Sequence, residues 1–238
     1  MTAKNLVSSR QNLKTEYVEW IFVSAFYLPA MLVGPIFSGT DIRKQVRSPE
    51  KDLGTASFLY RNSFWGLTLA VLVSPLFSNI SELLDSEVYS HLPLLAFILF
   101  MQLFAAFWGQ SLIAEMGSRL INISIPANFD KPWLATDIKN FWQRWHISMA
   151  QFVMQFIFLP LTTNKVNPKI ATISAFVFMG LWHEVSLGYI VWGFCHGFLM
   201  AFWPSRPEAP SIFRNGLERI TTIILVIVLS YVANYSFA

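Results

Sequence analysis

Phe141-Trp142-Gln143-Arg144-Trp145-His146-Ile147-Ser148 decides how this chain reads, with Gly180-Leu181-Trp182-His183-Glu184 downstream and Trp192-Gly193-Phe194-Cys195-His196-Gly197 beyond it. Each of the three sets a histidine among tryptophans in an otherwise apolar run. Histidine is costly to hold in lipid without a partner or a task, so an intramembrane histidine is a functional-site hypothesis from the start. Working outward from residues 133–203, the remainder reads as membrane scaffold.

Composition supports that reading. Of 238 residues, 54% are hydrophobic and 13% charged, with a mean hydropathy of +0.47, whereas a soluble domain averages roughly 25% charged. The expected fold class is all-α: a polytopic helical membrane protein with about six apolar helices, some broken or re-entrant, plus interfacial amphipathic helices. The 22 Phe and 9 Trp suit lipid-facing and interfacial surface. The net charge of +3 sits in loops and bears on topology, so nucleic acid is not an expected partner. A single cysteine, Cys195, excludes an intrachain disulfide and reads as small core filler. No cleavable signal peptide is expected, because the first 16 residues are polar and the first apolar stretch carries Pro29 and Pro35.

Taken as one membrane domain over 1–238, the chain divides into a polar lead-in (1–16), membrane helices (17–109), a motif-bearing region (110–203) and a final loop and helix (204–238). Residues 17–37 match one bilayer thickness, but Pro29 and Gly34-Pro35 predict a broken or re-entrant element. Residues 58–77 and 92–108 read as spans, separated by an acidic loop at 79–91. Residues 111–121 read as a separate helix with Glu115 and Arg119 spaced i,i+4. Pro126, Asn128 and Pro132 mark a turn region. Residues 135–146 read as an interfacial amphipathic helix capped by Thr136 or Asp137. Residues 147–161 are short for a full span and read as re-entrant or as a continuation of that helix. Residues 170–182, 187–203 and 220–232 supply the last apolar helices. Lys and Arg number five over 38–61, none over 79–91 and four over 109–146, which puts the first and third segments on the cytoplasmic side. The lead-in, with three, also prefers that side, which conflicts with a single crossing by residues 17–37; a re-entrant first stretch or a truncated chain would resolve the conflict.

Among residues able to do chemistry, Glu184 is the acidic residue that reads as deepest in an apolar stretch, and it neighbours His183. A poorly solvated imidazole stays neutral and can take a proton from a hydroxyl. A carboxylate would steady the imidazolium, but adjacent residues on a helix point about 100° apart, so the pair needs a helix break, for which Gly180 and Gly188 are candidates. The competing reading is that His183 only donates to a carbonyl of a neighbouring helix. Trp142, Trp145 and Trp182 read as interfacial anchors, and Arg144 as a snorkelling residue or a clamp for a phosphate or carboxylate. A metal site from His146, His183 and His196 lacks any short ligand spacing. A bis-histidine haem pair is disfavoured because His183 and His196 fall roughly 220° apart on a straight helix.

The motif set as a whole resembles the membrane-bound O-acyltransferase (MBOAT) family. The run from Ser111 through Ile125-Pro126, Asn128-Phe129, Pro132-Trp133 and Ala135-Thr136 to Phe141-Trp142, Arg144-Trp145-His146 and Ile147-Ser148 is similar to its bacterial branch. That branch includes alginate O-acetyltransferase and the D-alanyl transfer protein of teichoic acid synthesis. Gly180-Leu181-Trp182-His183 and Trp192-Gly193 to His196-Gly197 continue in register, and Phe26-Tyr27-Leu28-Pro29 with Gly34-Pro35-Ile36 resembles an upstream element. The chain departs from the pattern at Leu112, where the branch usually has Asp, and at Glu184, where a small residue is common.

The resemblance implies transfer of an acyl group, acetyl foremost, onto a hydroxyl of an envelope polysaccharide or a lipid, in a tunnel through the bilayer. It implies His183 and His146 as catalytic residues. Arg144, Trp145, Trp182, Asn128 and Ser148 are then expected to contact substrate, with no metal and no resident cofactor. The donor would be a thioester, acyl-CoA or an acylated carrier protein, and the acceptor polysaccharide would be met through an extracytoplasmic partner. The expected location is the bacterial plasma membrane, multi-pass, and the chain is expected to be the C-terminal half of such an enzyme or a truncated member. Two other readings stay open: a partial, non-enzymatic subunit, and a small transporter using the histidines as a proton relay.

Overall fold

Long runs of Leu, Phe, Ile and Ala with few charges form helices wherever the chain can satisfy its own backbone, as a bilayer requires. In the computed structural model, residues 35, 36, 42, 45, 56–85, 92–204 and 212–235 are described. The expectations for the lead-in, the stretch 17–34 and the loop 205–211 lie outside them. Helix α1 (Ala56–Leu67) passes through a π-helical turn (Thr68–Val73) into α2 (Ser74–Asp85). Helix α3 runs over Leu92–Leu120, and the short α4 over Ile138–Trp142. Helix α5 (Ile147–Val153) continues through a second π-helical turn (Met154–Phe158) into α6 (Leu159–Thr163). Then come α7 (Pro168–His183), α8 (Leu187–Phe202) and α9 (Ile212–Tyr235). Three stretches among the described residues are long and apolar enough to cross a bilayer: Ser57–Glu82, Pro93–Leu120 and Gly216–Ala233.

Both π-helical turns stand just before a proline, Pro75 and Pro160. Proline has no N–H and crowds the carbonyl four residues back, and a widened turn accommodates that without ending the helix. The first apolar span therefore does not stop near residue 78 as the acidic residues suggested. It runs on to Asp85 with Glu82 exposed. Likewise α3 is one helix, not two: Gly109 does not interrupt it.

The described residues group into two compact units. The first holds α1 with the C-terminal part of α3 and residues up to Asn128. Here Gly109 sets the helix crossing, since a Cβ would lie 2.7 Å from the Ala70 nitrogen and 2.9 Å from the Gly66 oxygen. Asn62 Nδ2 donates to Glu115 Oε2 at 3.3 Å, so Glu115 is an acidic residue held within the apolar helices, a role the sequence reading gave to Glu184. Helix α3 ends at Asn122, in the left-handed region with φ 58°, and Ile123 N returns to Ser118 O at 2.9 Å. Left-handed Asn is a common helix terminator. Gln45 and Ser124 then exchange two hydrogen bonds, 2.9 and 2.6 Å.

The second unit holds α2, the N-terminal part of α3 and everything from Phe129 onward. Its frame is the antiparallel pair α7 and α8, joined by Glu184-Val185-Ser186. Asn167 caps α7 by accepting from Lys169 N at 2.9 Å, and Ser186 caps α8 by accepting from Tyr189 N at 3.4 Å. The helices meet backbone to backbone. A Cβ on Gly180 would overlap the Tyr189 carbonyl, one on Gly193 the Phe176 carbonyl, and one on Gly197 would lie 2.7 Å from Ile173 Cα. Without a hydrophobic driving force between helices in lipid, such small-residue contacts are what close packing uses. Gly180 and Gly188 are thus contact points within helices, not breaks. Gly188 meets the carbonyl of Ala233 on α9.

Candidate functional site

The segment before α5 is built around Trp145. The expected helix over 135–146 is only Ile138–Trp142, capped by Asp137, whose Oδ1 accepts from Asn140 N at 2.8 Å. It ends early because the chain turns to pair Trp145 with Phe129 in an antiparallel bridge, and Asp130 N donates to Arg144 O at 2.9 Å. Trp145 is buried among Phe100, Phe104, Phe129 and Phe141, with ring centroids 5.1–5.5 Å away. Ile138, Phe141 and Trp142 are buried as well. These two tryptophans are therefore core residues, not interfacial anchors, and α4 buries Ile138, Phe141 and Trp142 while Lys139 and Asn140 stay partly exposed. Trp182 remains exposed, against Phe152 and Phe178.

That bridge delivers His146. The residue is buried and stands at the entrance of α5 with φ 47° and ψ 52°, the left-handed region. A β-carbon there is strained by roughly 1–2 kcal/mol. Strain of this kind is tolerated where the surroundings dictate the geometry, and it is a marker of functional positions. His183 arrives from the other direction, as the last residue of α7. The helix stops there because Glu184 is extended, with φ −161° and ψ 140°. The break that the sequence reading required does occur, yet Glu184 is exposed and does not bond to His183 among the described residues. His183 is exposed too. Its ring faces Tyr189 and Trp192, each 5.9 Å away, the indole at 86°.

The two imidazoles lie within electrostatic range of each other. The two histidines come from positions 37 apart in the chain, His146 at the entrance of α5 and His183 at the end of α7. An exposed imidazole can accept a proton and return it, and a buried one can hold a polar group.

The other expected site residues are placed as follows. Arg144 is engaged within the protein: Nη1 donates to Asp130 O at 3.0 Å and Oδ2 at 3.2 Å, and Nε to Asn140 Oδ1 at 3.0 Å. Ser148 is fully buried in the first turn of α5. Asn128 belongs to the first unit and is fully buried, its Nδ2 donating to Ser111 Oγ at 3.3 Å. Sequence reasoning missed Asp130 and Asn140 as the partners of Arg144, and Trp192 as the neighbour of His183. The Gly193-x-x-x-Gly197 spacing, a known signature of close helix contact, was the available signal for the α7–α8 packing.

The chain is similar to known proteins. The membrane-bound O-acyltransferase family profile matches residues 3–204. Peptidoglycan O-acetyltransferase of Helicobacter pylori is 28% identical over 214 residues, covering 84% of this chain and 40% of the relative. Teichoic acid D-alanyltransferase of Streptococcus thermophilus is 38% identical over 105 residues, 40% of this chain and 25% of the relative. A probable alginate O-acetylase of Pseudomonas syringae pv. tomato is 28% identical over 220 residues, 85% of this chain and 41% of the relative. The chain spans at most about two fifths of the length of these relatives. With a profile match over most of its residues and membrane-length helices in place, this is a membrane protein, and it belongs to the membrane-bound O-acyltransferase family.

Proposed function

We propose that the chain provides the histidine site of an O-acyltransferase that moves an acyl group, acetyl foremost, onto a hydroxyl of an envelope polysaccharide or lipid at the bacterial plasma membrane. The observation that supports this most directly is that His183 and His146 lie within electrostatic range of each other in a chain of this family. The names of its relatives point the same way, since they are a peptidoglycan O-acetyltransferase, a teichoic acid D-alanyltransferase and a probable alginate O-acetylase.

In this reading the exposed His183 takes the proton of the acceptor hydroxyl as its oxygen attacks the acyl carbonyl of a thioester. The tetrahedral oxyanion collapses, the C–S bond breaks, and the imidazolium returns its proton to the departing thiolate. General-base help of this kind is worth about 10²–10⁴-fold. His146, fixed by its strained backbone, and Arg144 position the donor or acceptor. The donor is acyl-CoA or an acylated carrier protein on the cytoplasmic side, and the acceptor is presented from outside by a partner protein.

The test is the alkali-labile ester content of envelope polysaccharide from cells expressing this chain or its His183→Ala variant at equal membrane levels. Esters that appear with the first and vanish with the second are the expected result. Esters that persist in the variant overturn the role of His183.

A further inference from the structure

His196 is a histidine that the proposed chemistry leaves unused. It is fully buried on α8, and its Nδ1 lies 3.0 Å from the Trp192 carbonyl oxygen one turn earlier. A carbonyl only accepts, which assigns the proton to Nδ1 and leaves Nε2 a bare acceptor. That Nε2 is buried without a hydrogen-bond partner among the described residues, and so is Nε1 of Trp142. The Trp142 indole meets the His196 ring at 86°, with centroids 5.3 Å apart. Unpaired buried polar atoms are unfavourable, and a hydrocarbon ring at position 196 would carry none. The imidazole must supply something that a hydrocarbon ring does not.

What it supplies shows in its contact with Trp192. The His196 Nδ1–H holds the Trp192 carbonyl, and the two rings lie 4.5 Å apart. Trp142 meets the same indole at 5.7 Å and 83°, while Phe176 lies parallel to His196 at 6.4 Å and 11°. Trp192 is buried, and its indole meets the His183 ring at 5.9 Å and 86°. His183 itself has few constraints, being the exposed last residue of its helix.

We infer that Trp192 and His196 are positioning residues for His183: the near-perpendicular indole sets the orientation of the imidazole, and His196, through its Nδ1–H and its ring, sets the indole. The inference rests on His183 being the base of the proposed reaction, but the positioning itself can be measured without that reaction.

The measurement is the rate at which diethyl pyrocarbonate modifies His183 in the purified chain in detergent, resolved by peptide mass spectrometry. Wild type is compared with Trp192→Phe, Trp192→Leu, His196→Phe and His196→Asn. Asparagine can place an amide N–H where Nδ1–H stood. Because small misplacements of a reacting group have large kinetic effects, Trp192→Leu and His196→Phe should change His183 modification by about threefold or more, and lower acyl-transfer kcat about tenfold with donor KM unchanged. His196→Asn should return part of the way to wild type. Thermal unfolding separates misfolding from repositioning, and Trp192→Phe is the mild variant if the others do not fold. Modification rates equal to wild type in every variant that folds overturn the inference. Acyl transfer that survives His183→Ala sinks the proposed reaction instead, and leaves the modification result to stand or fall separately.

Discussion

No β-carbon fits at Gly180, where the carbonyl oxygen of Tyr189 occupies the space one would fill. Gly193 stands in the same relation to Phe176. Overpacking a close contact costs about 1–3 kcal/mol. Gly180→Ala and Gly193→Ala should therefore lower the thermal unfolding midpoint in detergent and reduce the amount of folded protein in the membrane. Gly216→Ala is the control, since nothing lies within 4 Å of its added carbon and alanine gains up to about 1 kcal/mol of helix propensity. Equal stability of Gly180→Ala and Gly216→Ala would show that α7 and α8 are not in backbone contact.

The left-handed backbone of His146 separates its side chain from its main chain. Glycine adopts φ 47° without penalty and asparagine nearly so, whereas alanine carries roughly 1 kcal/mol of strain. Stability by thermal unfolding should therefore follow the order His146→Gly and His146→Asn above His146→Ala. Acyl transfer should fall in all three alike, because all lose the imidazole. Activity that tracks stability instead of imidazole loss would reduce His146 to a backbone element.

How much of this was legible beforehand depended on whether the signal was local. His183 and His146 stood out because histidine in an apolar run is rare. The all-α membrane architecture followed from composition and run length. The failures have a common cause: a residue's neighbour across space overrode its neighbours in sequence. Gly109 reads as a helix end, yet a helix needs no β-carbon where another backbone crosses it. The 135–146 pattern reads as an amphipathic helix, yet the Phe129–Trp145 bridge ends it at Trp142. Glu184 reads as a partner for His183 because the two are neighbours in sequence, but it is extended after the end of α7 and does not bond to that imidazole among the described residues.

Arg144 tests the difference between a clasp and a ligand contact. Its planar fork reaches Asp130 and Asn140 at once, which a lysine ammonium cannot do. Asp130→Ala removes a partly exposed ion pair and should cost less than about 1 kcal/mol, with donor KM unchanged. Arg144→Lys should also lower the unfolding midpoint, and additionally raise donor KM if the guanidinium meets substrate. If both variants shift only stability, Arg144 is a clasp that holds the chain before His146 and touches no substrate.

Glu115 and Asn62 form a polar contact inside apolar helices, and its worth depends on how it is broken. Glutamine at 115 keeps an acceptor for Asn62 Nδ2, now 3.3 Å from the carboxylate, so Glu115→Gln should leave stability close to wild type. Glu115→Leu strands the buried Asn62 amide, and an unsatisfied buried group costs about 1–3 kcal/mol. Replacing both partners by leucine removes the stranded group along with the bond, so the double variant should recover most of that loss. The thermal unfolding midpoints of the two single variants and the double complete a cycle whose coupling isolates the pair. Additive losses, with no recovery in the double variant, would mean that Asn62 and Glu115 do not act on each other.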